Sequence, residues 1–174
     1  MDAYKAIISK RDSRSYTSEP IAEDVLRRVL QAGRMAGSSK NREPFRFVVV
    51  RDREHMAELA KCGDFAQPLG PAAAAIAVCL DPDGLDFDAG RAAQNIMLAA
   101  WNEGLASCPV RIHHADCGRE VLGLPEGWRI GIVIALGHPE PSVPISAGRA
   151  RHAFEEYVSW EKFGQDDEPT PRSK

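Results

Sequence analysis

Apolar positions recur at helical spacing from the start of the chain, where Tyr4, Ile7 and Ile8 share one face of a helix predicted from about Asp2 to Lys10. The same period returns near Ala22. Val25, Leu26, Val29 and Leu30 predict a second helix, and Gly33 and Gly37 flag its end. The pattern then changes to a continuous run, Phe45-Arg46-Phe47-Val48-Val49-Val50, which predicts a strand ended by Arg51-Asp52. A short helix from Glu54 to Cys62 precedes a loop punctuated by Gly63, Pro68, Gly70 and Pro71. Ala74 to Leu80 predicts a second strand, closed by the turn residues Asp81-Pro82-Asp83-Gly84.

The longest predicted helix, Asp88 to Glu103, is apolar nearly all round, so burial on several sides is expected, with Gly104 as its C-cap. A loop carrying Cys108, Pro109 and the pair His113-His114 follows, then a small helix ending near Leu122 and a turn at Leu124-Pro125-Glu126-Gly127. Ile130 to Leu136 predicts a third strand, stopped by Gly137-His138-Pro139. A last amphipathic piece, Ala153 to Trp160, precedes a polar tail. Helices and strands mix without regular βαβ alternation, which predicts an α+β fold. The expected organisation is one domain over residues 1–164 and a C-terminal tail over 165–174.

Composition narrows the function classes. At 174 residues the chain suits a single domain. It should bury roughly 70% of the surface of its unfolded form, enough to stand without disulfides. The four cysteines, Cys62, Cys79, Cys108 and Cys117, form no C-x-x-C pair or regular framework. Cys79 reads as a small buried hydrophobe. Cys108 is open to two readings, a reactive thiol and a packing residue, of which packing is the more economical. A net charge of −3 gives no reason to expect nucleic acid. No run approaches the ~20 apolar residues that span a bilayer, and the N-terminus is not signal-like, so no membrane association and a cytoplasmic protein are expected.

Three segments hold candidate chemistry. Lys10, Arg11 and Arg14 could surround a phosphate or an anionic ring edge, although basic residues also complement a helix C-terminus. Ala36 to Phe45 offers small hydroxyl and amide groups between a helix and a buried strand, or an ordinary turn-rich loop. Arg149 and Arg151 flank Ala150 as a phosphate clamp would, or as solvated surface. There is no G-x-G-x-x-G, Walker loop, H-E-x-x-H or G-x-S-x-G elbow. Adjacent His113 and His114 should diverge, and only Cys108, Asp116 and Cys117 lie near, so no metal site is expected.

In order, these segments resemble the FMN-dependent nitroreductase family over nearly the whole chain, from Tyr4 to about Phe163. The opening family motif, R-R-S-x-R or R-R-D-x-R, stands here as Lys10-Arg11-Asp12-Ser13-Arg14. A second, A-P-S-x-x-N-x-Q-P-W, stands as Ala36-Gly37-Ser38-Ser39-Lys40-Asn41-Arg42-Glu43-Pro44-Phe45. The helix from Gly90 to Ala100 is similar to the family's central dimer helix, and Gly104 to Pro109 and Ala135 to Pro139 complete the order. Departures are Lys10 for the first Arg, Gly37 for Pro, Glu43 for Gln and Phe45 for Trp.

The resemblance implies an α+β fold with a central, mainly antiparallel sheet flanked by helices, in a homodimer whose C-terminal segment reaches onto the partner. It implies an oxidoreductase that passes hydride from NAD(P)H through FMN to a small electron-poor acceptor such as a nitroaromatic or quinone, by a ping-pong course. Lys10, Arg11 and Asp12 would hold the phosphate and ribityl chain with Arg149 and Arg151. Arg14 would face the flavin N1–C2=O edge, and the loop Pro109-Val110-Arg111-Ile112 would bring amides towards N5 and O4. Ser38, Ser39 and Asn41 would come from the partner subunit. No side chain need be a nucleophile or general base, because the chemistry lies at the flavin. A flavin-fragmenting or dehalogenating relative would need a lid, for which the Cys62 to Pro71 loop is the one candidate. A non-catalytic flavin- or tetrapyrrole-binding module would use the same residues, and a plain interaction domain would bind no chromophore.

Overall fold

The apolar run Ala74–Leu80 forms a strand buried at every position, and two layers of core grow from its two faces. The computed structural model describes residues 2–145 and 150–165. In chain order the first elements are α1 (Ala3–Ser9), α2 (Glu23–Arg34), β1 (Phe45–Val50) and α3 (Arg53–Lys61). Next come β2 (Ala74–Leu80), α4 (Asp86–Asn102), β3 (Ala106–Val110), α5 (Ala115–Val121), β4 (Arg129–Gly137) and the short α6 (Phe154–Tyr157). The four strands form one antiparallel sheet in the order β1-β2-β4-β3. The α+β architecture expected from the sequence is thus the one observed.

Alternation along the central strands sorts side chains by size. Ile76, Val78 and Leu80 of β2 and Ile134 and Leu136 of β4 face α2 and α4, in one core with Val29, Ala92 and Ile96. Ala75, Ala77, Cys79, Val133 and Ala135 face the other way, into a core with Met56 and Leu59 of α3 and with Tyr16. The helices close on the sheet where local sequence permits. Asp52 caps α3 by accepting the His55 amide at 2.8 Å. Gly33 lets α2 lie against α4, since a Cβ there would stand 2.6 Å from Ile96 Cγ1.

Three expectations change. Ala106–Val110, read as loop, is a strand. Its proline and small residues argue against a central strand, but β3 is the edge of the sheet, where Pro109 can sit opposite Ile134 at no cost to an outer ladder. The C-terminal helix is one turn, Phe154–Tyr157, rather than Ala153 to Trp160. Within one chain α4 buries a single face, from Asp88 to Ala100, and leaves Gly90, Arg91 and Gln94 exposed.

The cysteines also sort themselves. Cys62 and Cys117 are joined as a disulfide, Cα to Cα 5.5 Å, which ties the end of α3 to α5. Cys79 and Cys108 are free and buried, at 1% and 2% exposure. Burial pushes the Cys79 thiol up to about 11, and raises that of Cys108 against the opposing pull of Arg14. Neither is a ready nucleophile. A thiol titration checks this pairing: the native protein should react slowly at neutral pH, two thiols should appear in urea and four after reduction. Four thiols in unreduced protein would remove the disulfide.

Candidate functional site

Immediately after α1 the chain turns along the free edge of β3 and is fastened there by backbone bonds. Asp12 makes a parallel bridge with Ser107, and the Ser13 amide donates to the Ser107 carbonyl at 3.1 Å. Tyr16 then bridges Pro139, and the Thr17 amide donates to the His138 carbonyl at 2.9 Å. The Tyr16 side chain packs on Gly137, where an added Cβ would stand 2.8 Å from Tyr16 Cβ and 2.9 Å from the ring at Cγ. Its hydroxyl donates to the Ser13 carbonyl at 2.6 Å. Burial raises the Tyr16 pKa further above its ordinary value, so this donor keeps its proton.

Fastening the backbone leaves the charged side chains in distinct roles. Arg11 Nη1 donates to the Ile8 and Lys10 carbonyls, each at 2.9 Å, and so complements the end of α1. Lys10 lies under the surface with its side chain 8% exposed, paired with the Asp12 carboxylate and 3.5 Å from Met97 Sδ on α4. Arg14 points into a cavity of about 560 Å³. Cys108, Pro109, Val110 and Arg111 form the β3 side of that cavity, and Phe65, Gln67, Pro68 and His113 form the opposite wall.

The wall is held in place from Cys62. Its carbonyl accepts the amides of both His113 (3.0 Å) and His114 (2.9 Å), beside the bond to Cys117. The two imidazoles do not diverge as expected: the loop turns both towards Asp64, whose carboxylate lies 3.8 Å from His113 Nδ1. His113 faces the cavity and accepts the Asp64 amide at Nδ1 (3.1 Å), while His114 Nε2 meets the Asp64 carboxylate at 3.0 Å. Among the described residues no group of three or more His, Cys, Asp or Glu could hold a metal ion. The Cys62 to Pro71 segment is anchored by buried Cys62, Ala66 and Leu69, with Phe65 exposed between them.

Of the residues picked out in the sequence, Arg14, Pro109, Val110 and Arg111 meet at one cavity. Ile112 lies just behind it against Gly118. Lys10, Arg11 and Asp12 precede Arg14 on the fastened segment. Ser38, Ser39 and Asn41 do not line this cavity in the single chain. Their loop holds Lys40, Asn41 and Glu43 at φ 51°, with Ser38 Oγ accepting the Glu43 amide at 2.8 Å. Arg151 is exposed, away from the cavity lining, and Arg149 lies outside the described residues. Phe65, Gln67, Pro68 and His113 were not anticipated as site residues. The sequence cues were the Cys62 to Pro71 loop as a lid candidate and the His113-His114 pair, neither of which pointed to these side chains.

Two cations without anions mark the cavity: among the described residues neither Arg14 nor Arg111 forms an ion pair. The Arg111 and Ile112 amides likewise have no acceptor among the described residues. An anionic or carbonyl-rich planar ligand would satisfy both sets.

The Nitroreductase family model matches residues 7–77 and 80–138, which include α2 to α5 and all four strands except Val78 and Cys79 of β2. The chain belongs to the nitroreductase family. A protein of Archaeoglobus fulgidus, provisionally named NADH dehydrogenase/NAD(P)H nitroreductase, is 33% identical over 80% of this chain and 86% of its own. The NADPH-flavin oxidoreductase of Vibrio harveyi is 27% identical over 94% of this chain and 76% of its own. Among solved structures, nitroreductase A from Vibrio parahaemolyticus superposes with a TM-score of 0.84 at 28% identity, covering 94% of this chain and 77% of that one. Nitroreductase family membership accounts for the order of the sequence motifs. No helix among the described residues is long and apolar enough to cross a membrane.

The seating of Tyr16 on Gly137 is testable. Gly137→Ala should force the ring off the strand and cost about 1–3 kcal/mol through overpacking. Hydrogen exchange should quicken at the Ser13 and Thr17 amides more than in α2. A uniform increase would show that Gly137 does not control the segment.

Proposed function

We propose that this chain is an NAD(P)H-dependent flavin oxidoreductase that holds FMN between its Lys10–Arg14 segment and the Pro109–Ile112 turn. The observation carrying this reading is the cavity lined by Arg14, which forms no ion pair among the described residues, beside the Arg111 and Ile112 amides, which have no acceptor among them. Family membership and relatives named for flavin or NAD(P)H chemistry support it. FMN would supply two-electron chemistry, with hydride taken from NAD(P)H and passed to a small electron-poor acceptor that follows the reductant into the same cavity.

The protein's own residues bind, orient and tune. Arg14 places positive charge where a reduced ring gathers negative charge, in a site partly shielded from water. The Arg111 and Ile112 amides donate to the ring's polar edge. Lys10, Arg11 and Asp12 hold the phosphate and ribityl chain with Arg149 and Arg151. Cys108 packs beneath the site and takes no chemical part, since its thiol is buried and its pKa raised.

Ser38, Ser39 and Asn41 complete the site from a second copy of the chain. Three non-glycine left-handed residues in this loop are a costly conformation of the kind retained at functional sites. Apolar side chains left in water give the copies a surface to share: Tyr4, Ile7 and Ile8 on α1, Phe87 on α4, and Phe154 and Tyr157 near the C-terminus. The exposed strip of α4 would pack on its twin.

Purified protein supplied with FMN should show an oxidised-flavin band that bleaches on addition of NADH or NADPH. Arg14→Gln should slow bleaching by about tenfold, or about 1.4 kcal/mol of barrier, and Arg14→Lys should recover part of the rate. A protein that binds no FMN, even in excess, would end this reading. Light scattering should give a dimer, and a monomer at every concentration would eliminate the shared site.

A further inference from the structure

The mouth of the cavity carries side chains that the flavin-binding roles do not use. Phe65 stands on the wall with 74% of its surface exposed, held edge-on by His113 at 5.9 Å and 76°. His113 accepts the Asp64 amide at Nδ1, so in its neutral form the ring keeps its hydrogen on Nε2, a donor. Arg111 contributes its amide to the proposed flavin site, yet its side chain lines the mouth without an ion pair among the described residues. The Asp64 carboxylate on the wall meets His114 Nε2 at 3.0 Å and lies 3.8 Å from His113 Nδ1, on the Nδ1 side of that ring.

We propose that this rim selects acceptors that join a flat aromatic ring to an anionic group, the nitrobenzoate class. This rests on the oxidoreductase reading above. Phe65 offers a face or edge to the ring, Arg111 pairs with the carboxylate and His113 donates to it. A hydride from NAD(P)H and one proton from solvent reduce the nitro group to nitroso: one N–O bond breaks and its oxygen leaves as water.

Arg111 could equally meet the phosphates of the nicotinamide nucleotide, so the test separates the two half-reactions. FMN-loaded protein is reduced anaerobically with one equivalent of dithionite, then mixed with para-nitrobenzoate or its neutral methyl ester. The return of the oxidised-flavin band gives a second-order rate for each. The wild type should favour the carboxylate over the ester by roughly threefold to tenfold, the scale of one charge-assisted contact. Arg111→Glu should invert the ratio and Arg111→Lys should keep part of it, whatever either does to the rates themselves. Phe65→Ala should slow both acceptors.

A wild-type ratio near one, or a ratio unmoved by Arg111→Glu, overturns the inference. So does an Arg111→Glu effect confined to the rate of reduction by NADH or NADPH, which would assign the cation to the nucleotide. If NAD(P)H does not bleach the flavin, the oxidoreductase reading itself fails. If bleaching is intact and the ratio does not move, only the acceptor class fails.

Discussion

Everything at the cavity depends on one constraint: residues 12–17 must lie as an added strip against the edge of β3 and the end of β4. Backbone bonds at Ser13 and Thr17 fix its height, and Tyr16 can pack this closely only because residue 137 has no Cβ. Once the strip is seated, Arg14 has one direction to point. The same strip satisfies part of the outer edge of β3 and shields a strand whose proline contributes no donor. Seating of the strip and formation of the edge strand are therefore one event.

The sheet prepares a different environment on each side. Towards α2 and α4 it presents Ile76, Val78, Leu80, Ile134 and Leu136, which fill a thick, continuous core. Towards α3 it presents alanines and Cys79, so that Met56, Leu59 and Leu69 approach closely. The bulky side supplies most of the hydrophobic stabilisation, while the thin side lets two loops come together over the sheet and enclose a cavity. Polar groups gather there without being forced into the main core.

Much of this was legible in the sequence, and the gaps have physical causes. β2 was readable to the residue because burial on both faces demands an unbroken apolar run, and so was β1. β3 was not, because a short edge strand with proline lacks that pattern and exists through its partners. Lys10, Arg11 and Arg14 read as one basic cluster, yet one is sunk against Met97, one serves a helix end and one enters the cavity. Spacing along a chain cannot distinguish those fates. Arg14 and Pro109 to Arg111 were found through the family resemblance, whereas Phe65 and His113 meet only because a carbonyl at Cys62 gathers amides about fifty residues away.

That carbonyl has a consequence for how the surface can diversify. The path of the wall past His113 and His114 is set by main-chain groups that any residue except proline can supply, with the Cys62–Cys117 bond beside them. The side chains at 65 and 111 take no part in that fastening among the described residues, unlike those of Asp64, His113 and His114, which bond across the two loops. Those at 65 and 111 can be exchanged over generations while the scaffold underneath stays constant, so that a relative could alter what it admits without first having to relearn how to fold.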